Sequence, residues 1–139
     1  MKVLFQSKNF KVGKILEDFS SKNIQSGSII SFLGKVREFS NQKKLRSMDI
    51  ELYEKMAKHQ THQAINSLFE KIQIEDLLII HRYGNLKPGE NIIFILVASK
   101  HRTEGFKFIQ EMVIFFKKKI TFWKKENFSN ISQWVKEQK

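Results

Sequence analysis

The longest uninterrupted apolar run in the chain, IIFILVA over Ile92–Ala98, limits what the sequence can fold into. A membrane-spanning helix needs roughly 20 apolar residues, and this run is far shorter. We therefore expect a strand in a globular protein, over Asn91–Ser99. Just before it, Lys87–Glu90 places Gly directly after Pro, which is typical of a type II turn. The turn is expected to join this strand to the preceding one as an antiparallel pair.

Hydrophobic periodicity predicts the remaining elements. Helices are expected at three places: Val12–Lys22, Lys55–Ile72 and Thr103–Lys118. Strands are expected at six places: Met1–Phe5, Ser28–Val36, Arg46–Tyr53, Asp76–Tyr83, Asn91–Ser99 and Ile120–Lys125. The polar segment EFSNQKKL (38–45) is expected to be a mobile loop. This order predicts an α+β fold with a mixed or antiparallel sheet, and the absence of linkers and repeats predicts a single domain over residues 1–139.

The chain has no cysteine. This composition excludes disulfides, thiolate metal sites and a cysteine nucleophile or persulfide carrier. Any sulfur that the protein handles must therefore arrive on another molecule. His59 and His62 have the spacing of a metal pair but no evident third ligand, so we expect surface histidines and no metal. The N-terminus lacks a sustained apolar stretch, and a cytoplasmic location is the default expectation.

The formal net charge of +11 suggests anionic partners or substrates. Part of this positive charge reflects a general bias of the sequence toward Lys, Ile, Phe and Asn, and such a bias raises the charge without selection for an anionic partner. Arginine is more informative, because its planar guanidinium binds phosphate or carboxylate with a geometry that lysine cannot reproduce. The chain has only four arginines, at Arg37, Arg46, Arg82 and Arg102. Three of them lie in the segments GKVRE, HRYG and SKHRTEGF, where predicted strands end.

Two groups of cations stand out around the third helix. Lys100, His101 and Arg102 precede its N-terminus, where free N–H groups favour an anion. These three residues indicate either an anion site or a basic loop. Lys117–Lys119 suit the C-terminal end of the helix and are expected at a solvated helix end.

Lys124 and Lys125 follow Phe122 and Trp123 on a predicted strand. Because side chains alternate along a strand, one of these two lysines should lie in enclosed surroundings. Burial and neighbouring cations both lower the pKa of an ammonium group. The enclosed lysine is therefore a candidate proton donor or nucleophile near neutral pH.

Four segments, GSIISFLGKVR, HRYGNLKPGENI, VASKHRTEGF and KKKITFWKKE, together resemble the large, catalytic subunit of molybdopterin synthase (the MoaE family). The resemblance runs from about Gly27 to Trp134. It implies an α/β-hammerhead-like fold with three main helices. It also implies a cyclic pyranopterin monophosphate substrate, and no cofactor. The implied sulfur donor is a small ubiquitin-like subunit with a C-terminal Gly-Gly thiocarboxylate. A homodimer of large subunits, with one small subunit at each end, would form a heterotetramer.

The resemblance also implies roles for individual residues. The two catalytic lysines of the family fall on Lys117 and Lys124. Its anion-binding residues fall on Arg37, His101 and Arg102, some of which act across the dimer interface. His81 and Arg82 match a patterned pair to which we assign a structural role.

The chain departs from the family pattern at three places. Thr121 stands where the family usually has Pro, Leu52–Lys55 replaces a stretch like His-Tyr-Pro-Gly, and the loop after Arg37 lacks the usual Gly. Two other functions compete with sulfur transfer: an RNA-binding module that uses the same basic face, and a non-catalytic scaffold for a ubiquitin-like partner. The RNA alternative is weakened because the chain has no RNP-type segment and its aromatic residues lie at core spacing.

Overall fold

The computed structural model describes residues 1–120, 122–129 and 131–135. The described residues form three α-helices: α1 Val12–Lys22, α2 Glu54–Phe69 and α3 Arg102–Ile114. They also form ten strands: β1 Lys2–Gln6, β2 Ser28–Lys35, β3 Phe39–Ser40, β4 Lys43–Lys44, β5 Ser47–Leu52, β6 Asp76–Arg82, β7 Gly84–Leu86, β8 Asn91–Ser99, β9 Phe122–Asn127 and β10 Ser132–Trp134. None of the described helices is long and apolar enough to cross a membrane.

The first sheet is mixed and has the strand order β1-β6-β8-β2. β1 runs parallel to β6, whereas β6 and β2 each run antiparallel to β8. The apolar run on β8 is buried, because β8 has a strand on each side and covered faces. The predicted antiparallel pairing of β6 with β8 is confirmed. The α+β class predicted from the sequence is therefore confirmed.

The second sheet is antiparallel and has the order β10-β9-β5-β7. β7 and β10 were not predicted from the sequence. Each has only three residues, too few to show a periodic pattern. β7 lies between β6 and the turn before β8, so the chain leaves the first sheet, pairs with β5 and then returns.

Two apolar clusters lie on opposite faces of the first sheet. Ile93, Ile95 and Val97 of β8 pack with residues of α2, α3 and the second sheet. Phe94 and Leu96 point the other way and pack beneath α1. This alternation explains why β8 is apolar at nearly every position.

The predicted mobile loop over residues 38–45 is instead the β3–β4 hairpin. Its two turn residues, Asn41 and Gln42, have φ values of 50° and 65°. Positive φ at both positions is what a type I′ two-residue hairpin turn requires, and Asn is tolerant of it. The hydroxyl of Ser40 donates to Glu126 Oε1 at 3.0 Å and ties the hairpin to β9. Polarity alone did not distinguish this hairpin from a loop.

The type II turn before β8 is confirmed. Gly89 has a φ of 87°, which the second central position of such a turn requires, and the amide of Glu90 donates to the carbonyl of Lys87 at 3.0 Å.

The sequence predicted that the third helix would continue to Lys118, and this end point is wrong. The α-helix ends at Ile114 and passes into a π-helical turn over Phe115–Lys119. The amide of Ile120 donates to the carbonyl of Phe115 at 3.1 Å and closes this wider turn. β9 begins at Phe122, later than predicted, and Thr121 lies outside the described residues.

Candidate functional site: a cationic cleft between the two sheets

A cleft of about 320 Å³ opens where the two sheets meet the end of the third helix. Its apolar wall includes Phe32 and Ile93 of the first sheet and Phe116 of the π-helical turn. Its polar lining consists of five side chains: Lys35, Arg37, His81, Lys117 and Lys124. Three of the five predicted site residues therefore share one cleft in a single chain: Lys117, Lys124 and Arg37.

Lys117 is positioned by the π-helical turn. Phe115 and Phe116, the first two residues of the turn, are both buried. The exposed lysines follow directly, and Lys117 is the one that lines the cleft. π-Helical turns within helices occur frequently at functional sites. Lys118 and Lys119 are exposed and are absent from the lining of the cleft, as expected for a solvated helix end.

Lys124 is positioned by the alternation of β9. It shares the inward face of the strand with Phe122 and with the buried Glu126. Lys125 points outward, where its Nζ lies 3.7 Å from Asp49 Oδ2 and 5.5 Å from the ring centre of Trp134. One lysine of the pair is therefore enclosed, as the sequence predicted.

The enclosed position changes the acidity of Lys124. Burial lowers the pKa of its ammonium group below the ordinary value of 10.5, and repulsion by Lys117 lowers the pKa further. Both causes disfavour the charged form. Lys124 can therefore give up a proton more readily than a lysine in water.

Arg37 lies two residues after Lys35, the last residue of β2. The buried Val36 lies between Lys35 and Arg37, and two backbone hydrogen bonds fix it against the type II turn. Val36 donates to Glu90 at 2.9 Å, and Gly89 donates to Val36 at 2.8 Å. Lys35 and Arg37 consequently both line the cleft. Lys35 was missed from the sequence, although its spacing of two from Arg37 on a strand was a usable signal.

Arg82 has the structural role that its sequence pattern indicated. It is buried, and its guanidinium donates to the carbonyl of Ser7 at 2.9 and 3.1 Å and to the carbonyl of Asn91 at 3.1 Å. It also forms an ion pair with Glu90 at 3.3 Å. These contacts join the ends of β1, β6 and β8 next to the cleft.

His81 is buried in the wall of the same cleft. Its Nδ1 lies 2.8 Å from the carbonyl oxygen of Arg82, and its ring centre lies 4.4 Å from that of Phe122. Burial and the nearby charge of Lys124 lower its pKa from 6.5 to about 3, although the bond to Arg82 acts in the opposite direction. The imidazole is therefore neutral at physiological pH. Sequence reasoning assigned His81 a structural role and missed its place in the cleft wall.

His101 and Arg102 do not reach this cleft within one chain. They lie where β8 passes into α3, whereas the cleft contacts the opposite end of β8 at Ile92 and Ile93. At about 3.3 Å per residue, the length of β8 separates the two places by more than about 20 Å. His101 precedes α3 as its N-cap residue and lines a different depression, together with Lys100 and Lys107.

The segment Leu52–Lys55 forms a regular strand-to-helix connection despite its departure from the family pattern. Tyr53 caps α2 with its backbone, and its side chain makes no capping hydrogen bond. Its ring instead packs edge-on against Trp123 with the ring centres 5.9 Å apart. Within residues 1–120, 122–129 and 131–135, no three His, Cys, Asp or Glu side chains are grouped as a metal ion would require.

The fold and the site together define an α+β protein with a cationic cleft, formed where a mixed sheet meets an antiparallel one. The sequence model of the MoaE protein family matches residues 5–119, and the chain therefore belongs to this family. The molybdopterin synthase catalytic subunit of Cereibacter sphaeroides is 34% identical over 139 residues, an alignment that covers 97% of this chain and 91% of that protein. The resemblance stated from the four sequence segments is confirmed.

Solved structures show the same fold. Molybdopterin synthase from Staphylococcus aureus superposes with a TM-score of 0.85 and 25% sequence identity, covering 95% of each chain. A complex of subunits 1 and 2 of molybdopterin-converting factor from Helicobacter pylori contains a chain with a TM-score of 0.81. That match has 17% identity and covers 98% of this chain and 91% of the other.

Proposed function

We propose that the chain is the catalytic subunit of a molybdopterin synthase. It transfers sulfur from the C-terminal thiocarboxylate of a small ubiquitin-like subunit to cyclic pyranopterin monophosphate, and so forms the dithiolene of molybdopterin. The observation that carries the proposal is the convergence of Lys117, Lys124 and Arg37 on one cleft in a member of this family. The absence of cysteine agrees with sulfur that is supplied by a second protein.

The cleft suits two anionic reactants. A thiocarboxylate and a phosphate repel one another in water, and positive side chains in a partly enclosed site offset that repulsion. Lys35, Arg37, Lys117 and Lys124 supply the positive charge. Holding both reactants in one orientation also removes part of the entropic barrier to their reaction.

Lys124 is the better placed of the two lysines to act as a proton donor. When a carbon–sulfur bond replaces a carbon–oxygen bond, the departing oxygen must take up a proton. A donor is most effective when its pKa lies near the working pH, and burial lowers the pKa of Lys124 in that direction. Lys117 then orients the thiocarboxylate and, by its own charge, keeps the pKa of Lys124 low.

The function is tested by reconstitution with a thiocarboxylated small subunit and the pterin precursor, with the product detected by its fluorescence after oxidation. We expect Lys117→Ala and Lys124→Ala to lose about 100-fold or more in rate. Lys118→Ala is the matched control, since Lys118 lies on the same turn and is exposed. We expect it to retain its rate.

The competing functions give different results in the same experiment. A scaffold would form the complex without making product. An RNA-binding module would bind nucleic acid with a steep salt dependence and would weaken gradually as any of several lysines is removed. Either result, together with an inactive wild type, would refute the proposed function.

The separation of His101 and Arg102 from the cleft supports assembly as a homodimer, in which each chain supplies these two residues to the cleft of its partner. One small subunit at each end completes a heterotetramer. This single-domain enzyme, spanning residues 1–139, would work in the cytoplasm.

The dimer is tested with mixed dimers of a Lys124→Ala chain and an Arg102→Ala chain. If Arg102 acts across the interface, one of the two clefts in the mixed dimer is intact, and activity returns to about half of the wild-type value. If Arg102 acts within its own chain, each cleft carries one defect and the mixed dimer stays as inactive as its parents.

A further inference from the structure

A single histidine is packed into the wall of the cationic cleft. His81 is 1% exposed and lies on β6, the neighbour of both β1 and β8. The ring centres of Phe122, Phe116 and Phe5 lie 4.4, 5.5 and 6.1 Å from its own. These three aromatic contacts hold the plane of the imidazole in one orientation.

The hydrogen bond of His81 fixes its tautomer. Nδ1 lies 2.8 Å from the carbonyl oxygen of Arg82, and a carbonyl oxygen can only accept. Nδ1 therefore carries the hydrogen. In a neutral imidazole the other nitrogen, Nε2, then has a free lone pair and is an acceptor.

His81 offers the one nitrogen or oxygen acceptor among the side chains described as lining the cleft. The other polar side chains of the lining are Lys35, Arg37, Lys117 and Lys124, which are donors alone. Lys124 shares the inward face of β9 with Phe122, whose ring contacts the imidazole. The positive charge of Lys124 is also close enough to lower the pKa of His81. The acceptor and the enclosed ammonium are therefore neighbours.

We infer that His81 is a positioning residue, whose Nε2 accepts a hydrogen bond from the Lys124 ammonium and so sets the direction in which Lys124 presents its proton. The inference deepens the proposed function and rests on it. It explains why a histidine, rather than another aromatic residue, occupies a wall of phenylalanines. A protonated imidazole would have no free lone pair and would repel Lys124, so the buried, neutral state is the one that this role needs.

The charges that face His81 come from several elements. Lys124 lies on β9, Lys117 lies on the π-helical turn, and Lys35 and Arg37 lie at the end of β2. The buried Glu126, also on the inward face of β9, accepts a hydrogen bond from Ser40. The neighbouring Arg82 is paired with Glu90.

Two substitutions separate the two nitrogens of His81. In His81→Asn, the side-chain amide can still donate to the Arg82 carbonyl, but nothing occupies the place of Nε2. In His81→Gln, the longer side chain brings a polar group to the place of Nε2. We expect His81→Asn to lose about tenfold or more in kcat with KM changed by no more than about twofold, and His81→Gln to retain most of its kcat.

The pH profile adds a readout that a structural role would not move. An acceptor stabilises the charged form of Lys124, so its loss lowers the pKa of that lysine. If Lys124 donates the proton, activity declines as pH rises through this pKa. We therefore expect the alkaline limb of the kcat profile to move to lower pH in His81→Asn. A wild-type kcat and an unmoved alkaline limb in this variant would overturn the inference.

A measurement without substrate distinguishes failure of the inference from failure of the proposed function. In isotopically labelled protein, the ¹⁵N resonances of His81 report the tautomer and the hydrogen bond at Nε2. We expect a protonated Nδ1, and a downfield shift of Nε2 in Lys124→Ala but not in the matched control Lys118→Ala. A protonated Nε2, or an Nε2 shift indifferent to Lys124, overturns the inference even if the His81 variants fail to fold. If the wild type is inactive but gives the expected spectra, the proposed function is refuted and the hydrogen bond inferred for His81 is retained.

Discussion

The neutral His81 makes the stability of the protein depend on pH in a range where few other groups contribute. The pKa of His81 is about 3 in the folded chain, and an exposed imidazole in the unfolded chain has a pKa near 6.5. Below pH 6.5 the unfolded chain therefore binds a proton that the folded chain does not. The folded state is therefore most stable above pH 6.5, and this stability is lost as pH falls from 6.5 toward 3, because only the unfolded chain gains the proton.

The magnitude follows from proton linkage. The free energy of unfolding should fall by about 2 kcal/mol per chain between pH 7.5 and pH 5, with a slope that approaches about 1.4 kcal/mol per pH unit. Asp49, Asp76 and Glu90 also have lowered pKa values, relative to 3.8, 3.8 and 4.5. Their stabilisation is lost only when the pH falls further, so the range from 7.5 to 5 isolates the histidine.

Urea unfolding, followed by circular dichroism at fixed protein and salt concentration, measures this slope. His81→Gln should be nearly flat over the same range, because its side chain does not titrate. His62→Gln is the control, since His62 is exposed on α2 and should leave the slope unchanged. A wild-type stability that is constant from pH 7.5 to pH 5, or the same slope in His81→Gln, would refute the reasoning.

Three further predictions concern the backbone. A Cβ on Gly34 would lie 2.8 Å from Ile93 Cγ2, so Gly34→Ala should lower the free energy of unfolding by about 1–3 kcal/mol in urea. A Cβ on Gly13 in α1 would meet nothing within 4 Å, so Gly13→Ala should raise the free energy of unfolding by about 0.5 kcal/mol. A lower free energy of unfolding in Gly13→Ala would contradict this prediction. Gln42 has a φ of 65° in the β3–β4 turn, so Gln42→Gly should stabilise the protein by about 1 kcal/mol. A loss of stability in that variant would show that the Gln42 side chain contributes contacts that outweigh its backbone strain.

Much of the fold could be predicted because its main elements have long, regular patterns. The helix Val12–Lys22 and the strand Asn91–Ser99 have the bounds that the sequence indicated. The short β7 and β10 have no such pattern. The β3–β4 hairpin was hidden because Asn41 and Gln42 are not the usual Asn-Gly pair of a two-residue turn.

Part of the candidate site could be predicted because side chains alternate between the two faces of a single strand. Strand alternation showed that either Lys124 or Lys125 must be enclosed, and it would also have found Lys35 beside Arg37. The role of His81 depends on contacts with Phe122 and with the carbonyl of Arg82. These contacts join residues that are distant in sequence or pair a side chain with the backbone, so no spacing in the sequence encodes them.

The lysines that crowd around Phe122 and Trp123 are arranged by two different local geometries. The π-helical turn buries Phe115 and Phe116 and directs Lys117 into the cleft, while strand alternation encloses Lys124 and turns Lys125 outward toward Asp49. No carboxylate is among the described residues that line the cleft, so its positive charges repel one another without compensation from its own walls. An anion that enters relieves this repulsion, and the gain is largest for the species with most negative charge near the lysines. Under the proposed function, a cleft of this kind would contribute most when a thiocarboxylate and a phosphate occupy it together, as sulfur transfer begins.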